Sequence, residues 1–468
     1  RVALVDEAFG ERPDGRVTID VTPGDRWDRL QYPRWTAQVW MESNIPLSAA
    51  RDHLGSIYTK PGSASPKVAA VMGAGNVASI APLDLVHKLF VEGHVAIAKF
   101  SPVNEYIGPH IEHAFAPLVE AGFVRFAYGG SEVGGHLVHH PLVDEVHITG
   151  SERTHDAIVY GTGEEGRIRK VRNEPLLHKR ITSELGNVSP VIVVPGTWSS
   201  RALAWQVRHV ATQVVQNGGY NCNAAKVLIL PRRWPQRDEF VEALAACLAS
   251  RPPRPAYYPG SEARYERALV GAPRVRVLGD NTEGYLPPTI LEGFDASSDA
   301  SAITEEAFCQ VVAIVDLPEA SPGRFLSAAA DFCNDRLHGT LNATILIDPQ
   351  TARSPETGLA RAVERLRYGS IGINVWAAAA FPLGVTPWGA YPGHRLDDVQ
   401  SGIGFVHNAR LIDRPEKTIV RAPFVMVPTP PWSVFHRHAS KALRRVARFE
   451  ADPGLLRFAA MLGPALRP

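Results

Sequence analysis

An α/β fold with two Rossmann-like parallel-sheet units is predicted by three observations. Short apolar runs alternate with helix-length stretches, a glycine-rich turn directly follows one run, and a second set of the same rhythm begins near residue 187. In the first set, KVAAVM, VAIAKF, FVRFAYG and DEVHITG read as strands between helix-like stretches such as SIAPLDLVHKLFVEG and NEYIGPHIEHAFAPLVEAG, over residues 67–150. In the second, PVIVVP (190–195) reads as a strand and residues 198–216 as a helix. Leu203, Val207, Val210, Ala211 and Val214 share one face of that helix, which predicts burial against a sheet. Asn217-Gly218-Gly219 then stops it, because Asn and Gly accept a left-handed backbone. Cys222 therefore stands in a loop between a helix end and the strand KVLILP.

Composition narrows the function. The 468 residues are 45% hydrophobic and 21% charged with a formal net charge of +1, so no global field draws the chain to nucleic acid. Four cysteines (Cys222, Cys247, Cys309, Cys333) form no disulfide framework and no C-x-x-C pair, which fits a reducing, cytoplasmic setting. No run reaches the roughly 18 apolar residues of a transmembrane helix, and the first residues lack a signal-peptide pattern.

After KVAAVM, Gly73, Gly75 and Ala78 satisfy G-x-G-x-x-A at a strand-to-helix turn. The acidic ribose partner expected about 20 residues further on is missing, and the next strand ends in Lys99, which favours phosphate or ribose oxygen. Asn76 in the same turn reads either as a turn former or as an amide donor to a developing oxyanion.

GAGN with Asn76, Lys99 at a strand end, ITGS (148–151), SELGNVSP (183–190), Cys222, EEAFCQVV (305–312) and YGSIGINV (368–375) occur in a fixed order. Together they resemble the aldehyde dehydrogenase superfamily over about residues 67–425. The resemblance implies that Cys222 is the nucleophile, that Asn76 and the Cys222 N–H hold the oxyanion, and that Glu184 activates water to release a thioester. It implies NAD or NADP as cofactor, with Lys99 on the adenosine ribose, Gly150 and Ser151 on the pyrophosphate side, Glu306 on the nicotinamide ribose and Phe308 beside the nicotinamide. Ser101 and Pro102 stand where NAD-preferring relatives place a carboxylate, so a 2′-phosphate meets no repulsion. No metal site is expected: the histidines in LVHHPLVDEVH (137–147) and FHRHASK (435–441) lack zinc-ligand spacing and read as solvated or capping residues.

The chain departs from the family at Tyr220, where a glutamine is usual, at Asn187, and at Cys309-Gln310. These departures leave open two alternatives to aldehyde oxidation: a coenzyme A-dependent acyl-CoA reductase, which the GN turn resembles, and a non-catalytic scaffold. Cys247 reads as core, and residues 163–180 and 250–264 read as surface insertions or linkers.

The expected domains are a cofactor-binding unit over 1–186, a catalytic unit over 187–385, a return segment with an oligomerisation strand over 386–430, and a basic amphipathic extension over 431–468. The resemblance implies a homo-oligomer, dimer or tetramer, joined through residues 409–427. Within the extension, residues 433–449 read as a helix with one apolar and one basic face, which packs against this chain or a sister subunit, or else lies on an anionic membrane surface.

Overall fold

The computed structural model describes residues 9–60, 65–280 and 282–465, so the last three residues of the basic extension lie outside it. Two sheets organise the chain. The first has six strands in the order Gly402–Ile403, Arg180–Leu185, Glu145–Gly150, Val68–Met72, Val95–Lys99, Val124–Ala127. All neighbours are parallel except Gly402–Ile403, which runs antiparallel to Arg180–Leu185. The strands follow the apolar runs because a parallel sheet covered on both faces buries nearly every side chain: Ala69, Ala70 and Val71 are all fully inaccessible.

The second sheet has eleven strands. Its parallel centre carries Ser370–Ile373, Asn342–Leu346, Ser189–Val193, Ala225–Pro231, Val311–Leu317 and Thr289–Phe294 side by side. The helix Ser200–Val215 buries the expected Leu203, Val207, Val210, Ala211 and Val214 against it. The chain crosses from the first sheet to the second between Leu185 and Ser189.

Several expectations are corrected. The N-terminal strands Phe9–Glu11, Val17–Thr22 and Thr36–Met41 do not join the six-stranded unit; they extend the eleven-stranded sheet. They attach through Pro415–Arg421, which pairs with Thr36–Met41 on one side and Ser370–Ile373 on the other. The strand expected to enter a neighbour's sheet thus lies inside its own chain's sheet, with both edges filled.

The stretch 104–122 is broken into short helices, with Pro109 and Pro117 opening two of them. Residues 163–172, read as an insertion, form the helix Gly163–Arg172, whose exposed surface is laced by Glu164–Arg167 and Glu165–Arg169 pairs. Cys247 is only half-buried, and His147, read as solvated, is buried against Thr182 and Asp84.

In the extension, the helix begins at Ala439 and turns back into the helix Leu455–Ala465. Its apolar residues Ala442 and Phe449 face inward, with Phe449 packed on Trp27 and Phe458. The apolar side is therefore occupied by this chain, and the basic side is left outward.

Candidate active site

The carboxyl ends of the parallel strands in the first sheet face the loop that precedes Ala225–Pro231. Lys99, Gly150 and Glu184 all lie at that edge: Met72 is in register with both Lys99 and Ile148, and Thr149 with Glu184. Ligands of open α/β sheets bind outside this edge. Gly73 is required there because a Cβ would lie 2.5 Å from that of Ala81.

Cys222 is brought to this edge by a tight reversal. After Val215 the backbone turns through left-handed Asn217, Gly218 and Gly219, with φ of 55°, 68° and 76°. Gly219 also touches the second functional loop, since a Cβ there would sit 2.5 Å from the Cys309 carbonyl. The buried Lys226 ammonium donates to both carbonyls, Gly219 O at 3.0 Å and Cys309 O at 2.8 Å. Ser189 Oγ donates to Cys222 O, and Trp376 Nε1 to Asn223 O. Both sides of the cysteine are thus pinned.

Glu184 is buried and shares a hydrogen bond with the Cys222 thiol. Trp388, fully inaccessible, donates its indole N–H to Glu184 Oε1 at 3.1 Å. Burial pushes the Glu184 carboxyl up to about 7, against the two hydrogen bonds, which favour its charged form; the Asp84 carboxylate adds to the rise. Burial, with the Glu184 and Glu306 charges, also holds the Cys222 thiol well above its ordinary range. A thiol beside a carboxylate that ionises near neutrality is a nucleophile–base pair: Glu184 can take the Cys222 proton or that of a water.

Asn76 reaches the same loop from the other sheet. Its side-chain amide donates to Tyr220 O at 3.0 Å, while Asn217 Nδ2 donates to Asn76 O and Tyr220 O. One of the two amide N–H groups is therefore spent on the loop that carries Cys222, so the expected oxyanion donor doubles as a clamp.

Glu306 and Phe308 lie in the loop before Val311–Leu317. Glu306 packs where a Cβ on Gly186 would stand, and its Oε1 is a buried acceptor with no donor. Burial raises its pKa while the Lys226 charge opposes the rise. A buried acceptor short of a donor fits a ribose hydroxyl.

Lys99, buried, donates to Phe100 O. Ser101 Oγ lies against Gly75, where a Cβ would meet it at 2.6 Å. Gly150 ends its strand, and exposed Ser151 caps the helix Glu152–Tyr160 by accepting from Thr154 N. The structure joins Glu184 and Asn76 to the loop that carries Cys222 and sets Glu306 beside Gly186; Lys99, Ser101, Gly150 and Ser151 lie along the strand-end edge.

Sequence reasoning missed four participants. Lys226 and Trp388 hold the machinery from inside. Tyr257 and Tyr258, in the stretch read as a linker, pack on Tyr220 with ring centroids 4.9 and 6.0 Å away, and Tyr258 lies 5.0 Å from Phe308. Phe308 has φ of 43°, a strained left-handed backbone for a bulky residue. The signal was present in AYYPG, since aromatic pairs in a surface loop need a partner.

The aldehyde dehydrogenase family profile matches residues 70–254, a span that includes Asn76, Lys99, Glu184 and Cys222. Over that span the chain is similar to the aldehyde dehydrogenase superfamily. Among named superfamily members, it is 25% identical over 278 residues to an aldehyde dehydrogenase from Fusarium sp, covering 55% of each chain. It is 28% identical over 258 residues to an α-ketoglutaric semialdehyde dehydrogenase of Azospirillum brasilense, covering 52% of this chain and 45% of that one. The chain thus spans about half the length of the curated relatives it matches. Among solved structures, a Mycobacterium tuberculosis aldehyde dehydrogenase complexed with NAD+ superposes with a TM-score of 0.57 at 19% identity, over 89% of this chain and 74% of that one. A glyceraldehyde-3-phosphate dehydrogenase of Methanocaldococcus jannaschii complexed with NADP gives 0.55 at 18%, over 84% and 78%. At these identities the superpositions establish the fold alone. No helix among the described residues is long and apolar enough to cross a membrane.

Proposed function

We propose that the protein oxidises an aldehyde to a carboxylic acid through a thioester on Cys222, with NAD or NADP as cofactor. The observation that carries this reading is the buried Glu184 carboxyl, oriented by the Trp388 indole N–H and set beside the Cys222 thiol, with Asn76 clamped to the same loop. Glu184 accepts the thiol proton as sulfur attacks the aldehyde carbon. The Cys222 N–H and the Asn76 amide receive the oxyanion. The nicotinamide supplies the hydride acceptor. Glu306 holds the cofactor's ribose, Lys99 and Ser101 its adenosine side, Gly150 and Ser151 its pyrophosphate side, and Phe308 packs beside the reacting ring. Glu184 then loses that proton to solvent and takes one from water as the water oxygen attacks the thioester carbonyl; the C–S bond breaks, the proton passes to the Cys222 sulfur and the acid leaves.

The absence of a carboxylate next to Lys99 permits NADP as well as NAD. On this reading the adenosine and pyrophosphate contacts fall on the six-stranded unit, and Cys222 with the nicotinamide-side Glu306 and Phe308 on the eleven-stranded one. A cytoplasmic setting accords with a free catalytic thiol. Association into a homo-oligomer has to use a surface other than the edges of Pro415–Arg421, which are filled.

The test supplies NAD, NADP and coenzyme A separately with short, aromatic and long-chain aldehydes, following reduced cofactor and identifying the product. Acid formation that disappears in Cys222→Ala is expected. Product formed only as a coenzyme A thioester, or turnover unchanged in Cys222→Ala, overturns the proposal.

A further inference from the structure

Outside the catalytic site, a cleft of about 370 Å³ lies between the helix Ser200–Val215 and the segment 429–437. Trp205, Arg208, His209 and Thr212 line it from the helix; their spacing of three, four and seven residues puts them on one face. Trp432 lines it from the segment, and Arg251 and Arg437 complete it.

Its charge is one-sided. No Asp or Glu lines the cleft. Arg208 donates to Ala204 O, and Arg251 to Val434 O while stacking over Phe435 at 4.2 Å. Among the described residues none of the three arginines is ion-paired with a carboxylate. Guanidinium groups gathered without a counter-charge favour an anion.

Its polarity at the wall is equally specific. His209 is 6% exposed, and its Nε2 has no hydrogen-bond partner. Gln206 Nε2 donates to Phe424 O at 2.7 Å, which turns Gln206 Oε1 toward His209 Nδ1 at 3.3 Å. Nδ1 must therefore carry the hydrogen, and Nε2 is left as a bare acceptor. Burial holds the ring neutral, its pKa pushed down to about 3. A buried acceptor without a donor is one that a ligand's O–H or N–H, or a water, can complete. The Trp205 ring lies 4.9 Å from the His209 ring, giving the cleft a flat apolar wall.

We propose that this cleft binds a small anion carried on a flat ring that also bears an O–H or N–H donor: the anion on Arg208, Arg251 and Arg437, the ring against Trp205 and Trp432, the donor on His209 Nε2. The site is independent of the reading of Cys222. A lipid headgroup could meet the arginines, but a recessed imidazole acceptor and an aromatic wall select a free small molecule.

The full-length protein is titrated with 4-hydroxybenzoate, benzoate and phenol by calorimetry, and the ring nitrogens of His209 are followed by ¹⁵N NMR. Tightest binding is expected for 4-hydroxybenzoate, about tenfold weaker binding for benzoate, which lacks the donor, and weaker binding still for phenol, which lacks the charge. The Nε2 resonance should move with 4-hydroxybenzoate and not with benzoate. Arg251→Gln with Arg437→Gln should weaken 4-hydroxybenzoate at least tenfold while leaving basal turnover unchanged. Equal affinity for all three compounds, a silent Nε2, or affinity retained in the double variant overturns the proposal. So does displacement of 4-hydroxybenzoate by vesicles of anionic lipid with higher affinity than the free compound.

Discussion

Replacing Trp388 by Phe keeps an aromatic ring in a fully buried position and removes one N–H from Glu184 Oε1. That bond favours the charged carboxylate, so its loss raises a pKa that already stands at about 7. A hydrogen bond to a charged group contributes about 1.5–3 kcal/mol, and one pKa unit corresponds to about 1.4 kcal/mol. The midpoint should therefore move up by roughly one to two units. At pH 7.5 the ionised fraction of Glu184 then falls about three- to twenty-five-fold, and a rate limited by thioester hydrolysis falls with it. The assay is the pH profile of kcat from pH 6 to 10, with stopped-flow measurement of the first-turnover burst. The ascending limb should shift to higher pH, the plateau should be regained at high pH, and the burst should remain. A limb that stays in place, or moves down, refutes the assignment of Glu184 as the titrating base and of Trp388 as the residue that positions it.

Glu184→Gln should abolish the ascending limb and slow acid release, and it should also alter stability with a definite sign. Because the folded-state pKa lies above the ordinary 4.5, the stabilising contribution of this carboxyl is fully present below pH 4.5 and is lost as pH rises through about 7. The Gln variant should thus match the parent near pH 5 and exceed it at pH 8 by up to about 3 kcal/mol in denaturant titrations. Lys226→Met leaves the Gly219 and Cys309 carbonyls without a donor and should destabilise the fold by about 2–5 kcal/mol, read as a lower urea midpoint. Tyr258→Ala removes the ring packed on Phe308 and Tyr220 and should raise the cofactor KM about five- to tenfold with little change in kcat; an unchanged KM counts against a cofactor-side role for the tyrosines.

What could be read from the sequence was whatever has a local period or a fixed chemical order. The helix Ser200–Val215 announces itself because its apolar residues recur on one face, and the strands in KVAAVM, VAIAKF, DEVHITG, PVIVVP and KVLILP because buried strands are continuous apolar runs. Asn76, Glu184, Cys222 and Glu306 could be picked out because each sits at a strand end or turn in a recognisable order. The helix Gly163–Arg172 could not, since its only buried residue is Gly166 and charged pairs take the place of an apolar face. Nor could Trp388 and Lys226, which act at sequence separations of 204 from Glu184 and 83 from Cys309. The spacing of neighbours carries no trace of such a meeting. The pairing of Pro415–Arg421 was misjudged for the same reason, as alternation marks a strand without naming its partner.

That pairing has a consequence in time. Thr36–Met41 can take its place in the eleven-stranded sheet only after Pro415–Arg421 has been made, nearly the whole chain later. During synthesis the N-terminal strands wait without their main support, and Ser370–Ile373 presents an open edge until the last tenth of the protein emerges. The six-stranded unit has all but its two-residue edge strand by residue 185 and can form early. The chain is thus committed to a slow final closure, dominated by contacts distant in sequence, and its vulnerability to aggregation is concentrated in the interval before that closure.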